Sequence, residues 1–141
     1  MPIFSTRSSN NLKGIHPRLV RVLNAAIKTT PVDFIIVEGV RSLSRQQQLY
    51  AQGRTKPGPV VTYADGIKSR SNHQVHKDGY GYAVDLYPFI NGRVELNADK
   101  ELKIIAAHIK QTAAGMDIKI TWGGDWKRPF DPPHFELMEE G

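Results

Sequence analysis

Cysteine is absent from the 141 residues. Disulfides and thiolate metal sites are therefore excluded, and any bound metal must draw on His, Asp or Glu. Long apolar runs are missing too. The longest, such as Phe34-Ile35-Ile36-Val37, are strand-sized, well short of the roughly 18 residues of a membrane helix, so no membrane insertion is expected. The opening segment MPIFSTRSSNNLKG lacks the apolar core of a secretion signal, and standard export is not expected either. There is no internal repeat, no low-complexity tract and no block of five or six like charges.

What is present looks globular. A hydrophobic fraction of 40% with 23% charged residues suits a packed core rather than a disordered chain. The length suits one domain spanning 1–141. Nothing in it demands more than a monomer. The net charge of +5 favours anionic surfaces: nucleic acid, anionic lipid or anionic cell-wall polymer. No helix-turn-helix or aromatic RNA-binding pattern accompanies that charge, so nucleic acid is not the expected partner.

Pro17 followed by Leu19, Val20, Leu23, Ala26 and Ile27 at helical spacing predicts an amphipathic helix over 17–29, ended by Pro31. Residues 33–38 read as a strand. A short helix is expected over 44–52, with Ser44 as N-cap and Gly53 as terminator. From 53 to 81 the chain is rich in Gly, Pro, Ser and Lys, a loop long enough to be functional or disordered. A strand over 82–89 precedes the turn signal Asn91-Gly92. Leu102, Ile105, Ala106, Ile109 and Ala113 predict a second helix over 98–114, closed by Gly115. Strands are expected at 117–122 and 134–138. Mixed elements without regular βαβ alternation imply an α+β fold with a small, mainly antiparallel sheet flanked by helices.

Two strands suggest chemistry. In Ala83-Val84-Asp85-Leu86 and His134-Phe135-Glu136-Leu137, alternation puts Val84, Leu86, Phe135 and Leu137 toward a core. Asp85 and His134 then point the other way, and they share a face if the strands are neighbours. A solvated Asp and His would produce the same pattern, so each residue alone carries little. Histidine is scarce, with five in the chain, yet His73 and His76 both lie in the loop before Asp85. Two histidines and one carboxylate form a catalytic zinc set that leaves a position for water. Asp131, held three residues before His134 by Pro132 and Pro133, could act as general base or simply start a turn. Glu136 is a rival base, or a partner that orients a ligand histidine.

Four ordered motifs extend this reading. Ser71-x-His73, Gly81-x-Ala83-x-Asp85, Trp122-Gly-Gly-Asp-Trp126 and Asp131-x-x-His134-Phe135 resemble the D-Ala-D-Ala carboxypeptidase/L-Ala-D-Glu endopeptidase family of zinc peptidases, over roughly residues 33–137. The family shares its fold with the hedgehog signalling domain, and its small members include endolysins of tailed phages. The resemblance implies that His73, Asp85 and His134 bind Zn²⁺ and that Asp131 is the general base. It also implies that Arg41, in Gly39-Val40-Arg41-Ser42, binds a substrate carboxylate or the developing oxyanion, and that Ser71 orients its loop or contacts substrate.

One departure stands out. His73 and Asp85 are twelve residues apart where the family usually has seven, as though Val75 to Tyr80 were inserted. His73 fits Ser-x-His; His76 is the alternative ligand. The segment from Asp125 to Asp131 is short and poor in acidic oxygens, so calcium control is not expected.

The implied activity is hydrolysis of the L-Ala-D-Glu bond of peptidoglycan by a phage endolysin. Such an enzyme would accumulate in the host cytoplasm and reach the wall after a pore-forming partner opens the membrane. The alternatives are a D-Ala-D-Ala carboxypeptidase or dipeptidase, and a non-catalytic zinc-stabilised wall-binding module.

Overall fold

The structure, a computed structural model, describes residues 4–127 and 130–138. Its helices are α1 (Thr6–Asn11), α2 (Pro17–Thr29), α3 (Leu43–Ala51) and α4 (Asp99–Gly115). Its strands are β1 (Phe34–Glu38), β2 (Ala83–Ile90), β3 (Arg93–Val94), β4 (Ile120–Trp122) and β5 (His134–Leu137). A 3-10 turn covers Gly123–Asp125.

α2 begins at Pro17, where a missing N–H costs nothing, and His16 caps it by accepting from Arg18 N–H through Nδ1 at 3.1 Å. Its buried stripe is Leu19, Val22, Leu23, Ala26 and Ile27. α4 buries Leu102, Ile105, Ala106, Ile109 and Ala113, the five residues its periodicity selects, and carries Asp99 and Glu101 in the first turn, where the helix dipole favours anions. The two helices pack together against the sheet.

That sheet is antiparallel throughout, in the order β1-β2-β5-β4, with β3 on β2. Ile36, Val84, Leu86, Phe135 and Leu137 are buried in the core shared with α2 and α4. Asn91 and Gly92 both adopt positive φ, 54° and 78°, as a two-residue hairpin turn between β2 and β3 requires. The α+β, mainly antiparallel architecture expected from sequence is therefore present.

Local expectations were corrected in four places. α3 starts one residue earlier, because Ser42 rather than Ser44 is the N-cap; Ser42 Oγ accepts from Arg45 N–H at 3.1 Å. α4 runs through Gly115, and Asp117, at φ 58°, reverses the chain. β4 consequently begins at Ile120, not 117. The short helix α1 was not anticipated, being too polar and brief for a periodic signal. It lies along β1, where Ser8 Oγ accepts from Ile36 N–H at 3.0 Å and Asn11 Nδ2 donates to Ile36 O at 2.8 Å. These two side chains serve backbone groups of a strand that ends the sheet.

The long segment after α3 contains no helix or strand, yet it is tied down. Gln46, fully buried, donates through Nε2 to Ala64 O at 2.7 Å and to Thr62 Oγ1 at 3.2 Å. Gln74, also buried, donates to Gly66 O at 3.1 Å and accepts from Ser71 N–H at 2.9 Å. Asp65 Oδ1 accepts from three successive backbone N–H groups, those of Ile67, Lys68 and Ser69. Two buried amides and one Asp loop thus replace the secondary structure that the segment lacks.

Candidate metal centre

β2 and β5 are neighbours, and Asp85 stands opposite His134 in their register. Since Val84 and Leu86 face the core, Asp85 projects to the other side, where the loop residue His73 joins it. His73 Nε2, His134 Nδ1 and Asp85 Oδ1 form a triangle with edges of 3.2, 3.3 and 3.4 Å. Ligands about 2.0–2.1 Å from one tetrahedral ion stand about 3.3 Å apart. The triangle fits such an ion.

The hydrogen bonds behind each ligand point the same way. His73 Nδ1 lies 2.9 Å from Gly39 O. A carbonyl only accepts, so Nδ1 carries the proton and Nε2 presents its lone pair inward. His134 Nε2 lies 2.7 Å from Glu136 Oε1, which fixes the opposite tautomer and turns Nδ1 inward. Glu136 is itself anchored: its Oε2 accepts from Asn72 Nδ2 at 2.7 Å. Asp85 Oδ1 is buried without a hydrogen-bond partner, the two imidazole nitrogens standing 3.3 and 3.4 Å from it. A buried acceptor in this state is what a cation satisfies.

Electrostatics agree. Burial opposes the charge of Asp85, but the facing His134 and His73 nitrogens outweigh it and hold the carboxyl far below its usual range. Burial likewise opposes a charge on His134, and the Asp85 and Glu136 carboxylates outweigh it, raising His134 to about 9 without a metal. The cluster is built to hold positive charge. Among the described residues, His73, Asp85 and His134 are the group that could bind a metal ion. His76 is elsewhere, stacked on Tyr82 with ring centroids 3.9 Å apart.

A family model for phage L-alanyl-D-glutamate peptidases matches residues 2–138. The chain belongs to that family. The peptidase is 36% identical over 121 residues to the peptidoglycan L-alanyl-D-glutamate endopeptidase CwlK of Bacillus subtilis (strain 168), covering 82% of this chain and 67% of CwlK. It is 28% identical over 128 residues to the L-alanyl-D-glutamate peptidase of Escherichia phage T5, covering 91% of this chain and 84% of that one. The crystal structure of the L-Ala D-Glu endopeptidase ChiX of Serratia marcescens superposes with a TM-score of 0.76 at 34% identity, covering 96% of this chain and 89% of ChiX. The fold is the hedgehog/D-Ala-D-Ala peptidase-like one that the sequence motifs imply.

Around His73, Asp85 and His134 the peptidase opens a cleft of about 530 Å³. Asp131 lies in it, with Oδ2 3.8 Å from His134 Nδ1. Burial first, and the negative charge of Asp85 second, raise its pKa. Its position is set by the backbone: Asp131 N–H donates to Gly123 O at 3.0 Å, and His134 N–H donates to Asp131 O at 3.0 Å. A Cβ on Gly123 would come within 2.1 Å of Asp131 O, so the first glycine of Trp-Gly-Gly-Asp-Trp allows this approach. Trp122 Nε1 donates to Pro132 O at 2.6 Å and pins the Pro-Pro link.

Arg41 is brought to the same cleft. Its Nε donates to Glu38 at 2.7 Å and its Nη1 to Gln46 Oε1 at 2.8 Å, while Nη2 lies 3.5 Å from Asp85 Oδ2. Glu38 gets there through a bulge in β1: Ile36 pairs with Leu86, yet Glu38, two residues on, pairs with Asp85. Ser71 lines the cleft, and its Oγ accepts from His73 N–H at 3.1 Å.

The site therefore includes Glu38, Asn72 and Tyr87, which sequence reasoning did not single out, together with Trp126, the last residue of the Trp-Gly-Gly-Asp-Trp motif, and Gln46, which bonds Arg41. Asn72, between Ser71 and His73, had a positional hint. Glu38 depends on a bulge that alternation does not reveal.

Proposed function

We propose that the chain is an endolysin-type peptidase that hydrolyses the L-alanyl-D-glutamate bond of peptidoglycan stem peptides, with Zn²⁺ held by His73, Asp85 and His134. The observation that carries this reading is the inward triangle of two tautomer-locked imidazoles and an orphaned carboxylate oxygen, with a raised-pKa carboxyl beside it. Family membership supplies the bond. The donor set, two nitrogens and one oxygen without thiolate, suits zinc at an open catalytic site.

When bound, the ion supplies Lewis acidity that polarises a carbonyl and makes water more acidic. The protein's own groups do the rest. Asp131 takes the proton of the attacking water and delivers it to the leaving amine nitrogen, so the C–N bond breaks to give an alanyl carboxylate and a D-Glu amine. Its raised pKa strengthens it as a base and keeps the transferred proton available. Arg41, clamped by Glu38 and Gln46, presents Nη2 to the negative charge that builds on the carbonyl oxygen or to a substrate carboxylate. Ser71 holds the His73 loop and contacts substrate from the cleft wall. Glu136, bonded through both oxygens, is a positioning residue and not a rival base.

Acting from inside a cell requires a membrane pore made by another protein. One copy of this chain, working as a single catalytic domain, is sufficient for the chemistry.

Mass spectrometry of digested wall material tests the bond. New N-terminal D-Glu supports the assignment. Release of D-Ala instead would replace it with the carboxypeptidase or dipeptidase alternative.

A further inference from the structure

The outward face of β2 carries Asp85 and then Tyr87, while Val84, Leu86 and Pro88 are buried on the other. The register fixes where along the site Tyr87 stands. Ala83 pairs with Glu136 and Asp85 with His134, and Leu86 N–H donates to Pro133 O at 2.9 Å. Moving along β2 from Ala83 to Tyr87 therefore leads from Glu136 past His134 toward Asp131. Tyr87 and Asp131 line the same cleft. Glu136 and its partner Asn72 occupy the opposite end.

The ring of Tyr87 has a structural reason, since it is partly buried and its residue stands opposite Ile35 of β1. Phenylalanine would serve as well there. The hydroxyl needs a reason of its own. Among the described residues it has no hydrogen-bond partner, whereas the hydroxyl of Tyr82 donates to Asp78. A phenol, with an ordinary pKa of about 10, is a hydrogen-bond donor at neutral pH. A few such polar groups in a cleft wall fix the orientation of what binds there.

The substrate supplies an acceptor at this end. Glutamate has two carboxyl groups, and only one of them continues the stem peptide, so the leaving D-Glu residue keeps the other as a group of its own. Asp131 delivers its proton to the nitrogen of that residue. The leaving residue therefore lies against Asp131, at the Tyr87 end of the cleft. We propose that Tyr87 is a specificity-determining residue whose hydroxyl donates to this second carboxyl group. The assignment rests on the peptidoglycan reading above. It also sets the direction of the substrate: the D-Glu side lies toward Tyr87 and Asp131, and the L-Ala side toward Asn72 and Glu136.

The test uses the full chain with its metal and two synthetic stem peptides. One contains L-Ala-D-Glu; in the other, the glutamate carboxyl group that lies outside the chain is replaced by hydrogen. The unaltered protein is expected to favour the carboxyl form about tenfold or more in kcat/KM, chiefly through KM, which is the worth of one hydrogen bond to a charged group. Tyr87→Phe keeps the ring and brings the ratio toward one. Each ratio is measured within one preparation, so a misfolded fraction cancels from it. No preference in the unaltered protein overturns the proposal, and so does a preference that Tyr87→Phe retains. An equal fall on both peptides, with the ratio kept, places the hydroxyl on the scissile amide or in the fold and overturns it too. If the unaltered protein cuts neither peptide, the activity assignment fails separately. Calorimetric binding of the two peptides to the metal-loaded chain then decides: tighter binding of the carboxyl form that Tyr87→Phe abolishes supports the contact, and equal binding refutes it.

Discussion

Asp85 and His134 face each other across β2 and β5, with Asp85 Oδ1 3.4 Å from His134 Nδ1. Antiparallel register makes this pair a neighbour relationship of the sheet itself, so two of the three proposed ligands sit on rigid elements. The third, His73, comes from a loop, and its ring is aimed by a carbonyl at the end of β1, that of Gly39.

The His134 pair makes metal affinity depend on pH. Without metal, His134 is raised to about 9 by its carboxylate neighbours, against burial that opposes the charge. Binding must displace that proton. Affinity should therefore climb about tenfold per pH unit up to about pH 9 and flatten beyond it. Competition titration with a metal-sensing dye checks this; a pH-independent affinity between 7 and roughly 9 would contradict it.

Stability of the metal-free protein should run the other way. A raised histidine stabilises the fold fully below its ordinary value of 6.5, and the gain is lost as pH rises through about 9. The depressed Asp85 adds stability above its ordinary value of 3.8 that disappears as pH falls. Thermal melts of chelator-treated protein should thus show a decline in Tm on the alkaline side that metal addition removes.

Changing Asp131→Asn should lower kcat by about 10²- to 10⁴-fold, the usual worth of a positioned acid or base. Metal content should stay at the wild-type level, since Asp131 Oδ2 is 3.8 Å from His134 Nδ1 and is not part of the His73–Asp85–His134 triangle. Steady-state kinetics with elemental analysis of the same sample separates the two effects.

Much of this was legible beforehand. Strand alternation around Val84, Asp85 and Leu86, and around His134 and Phe135, suffices to turn Asp85 and His134 away from the core, because side-chain period is a local property. Neither strand adjacency nor register is local, so the pairing of Asp85 with His134 waited for the fold. The same holds for Glu38, carried to Arg41 by a bulge, and for Gln46, which reaches Arg41 from inside a helix. That His73, and not His76, lies beside Asp85 and His134 depends on contacts such as Gly39 O, which meets His73 from 34 residues away.

Glu136→Gln tests the orientation of His134. The amide can still accept from Nε2 but carries no charge and adds donors that compete, so metal affinity should fall about 10- to 100-fold. Asn72→Ala, which leaves the Glu136 carboxylate in place but unanchored, should have the smaller effect. Equal or reversed losses, measured by chelator competition, would mean that the Asn72–Glu136 bond is not what holds the imidazole.

Gln46→Leu keeps the volume but leaves Ala64 O and the Arg41 guanidinium short of a partner in a buried place. Denaturant unfolding should show a loss of about 2–3 kcal/mol, and kcat/KM should fall as Arg41 loses one of its clamps.

The central claim is that two particular imidazoles and one carboxylate hold the ion. Metal stoichiometry of purified wild type, His73→Ala and His76→Ala, by elemental analysis, addresses it most directly. One zinc per chain is predicted for wild type and His76→Ala, with loss of bound zinc in His73→Ala. Zinc retained in His73→Ala and lost in His76→Ala would contradict the account.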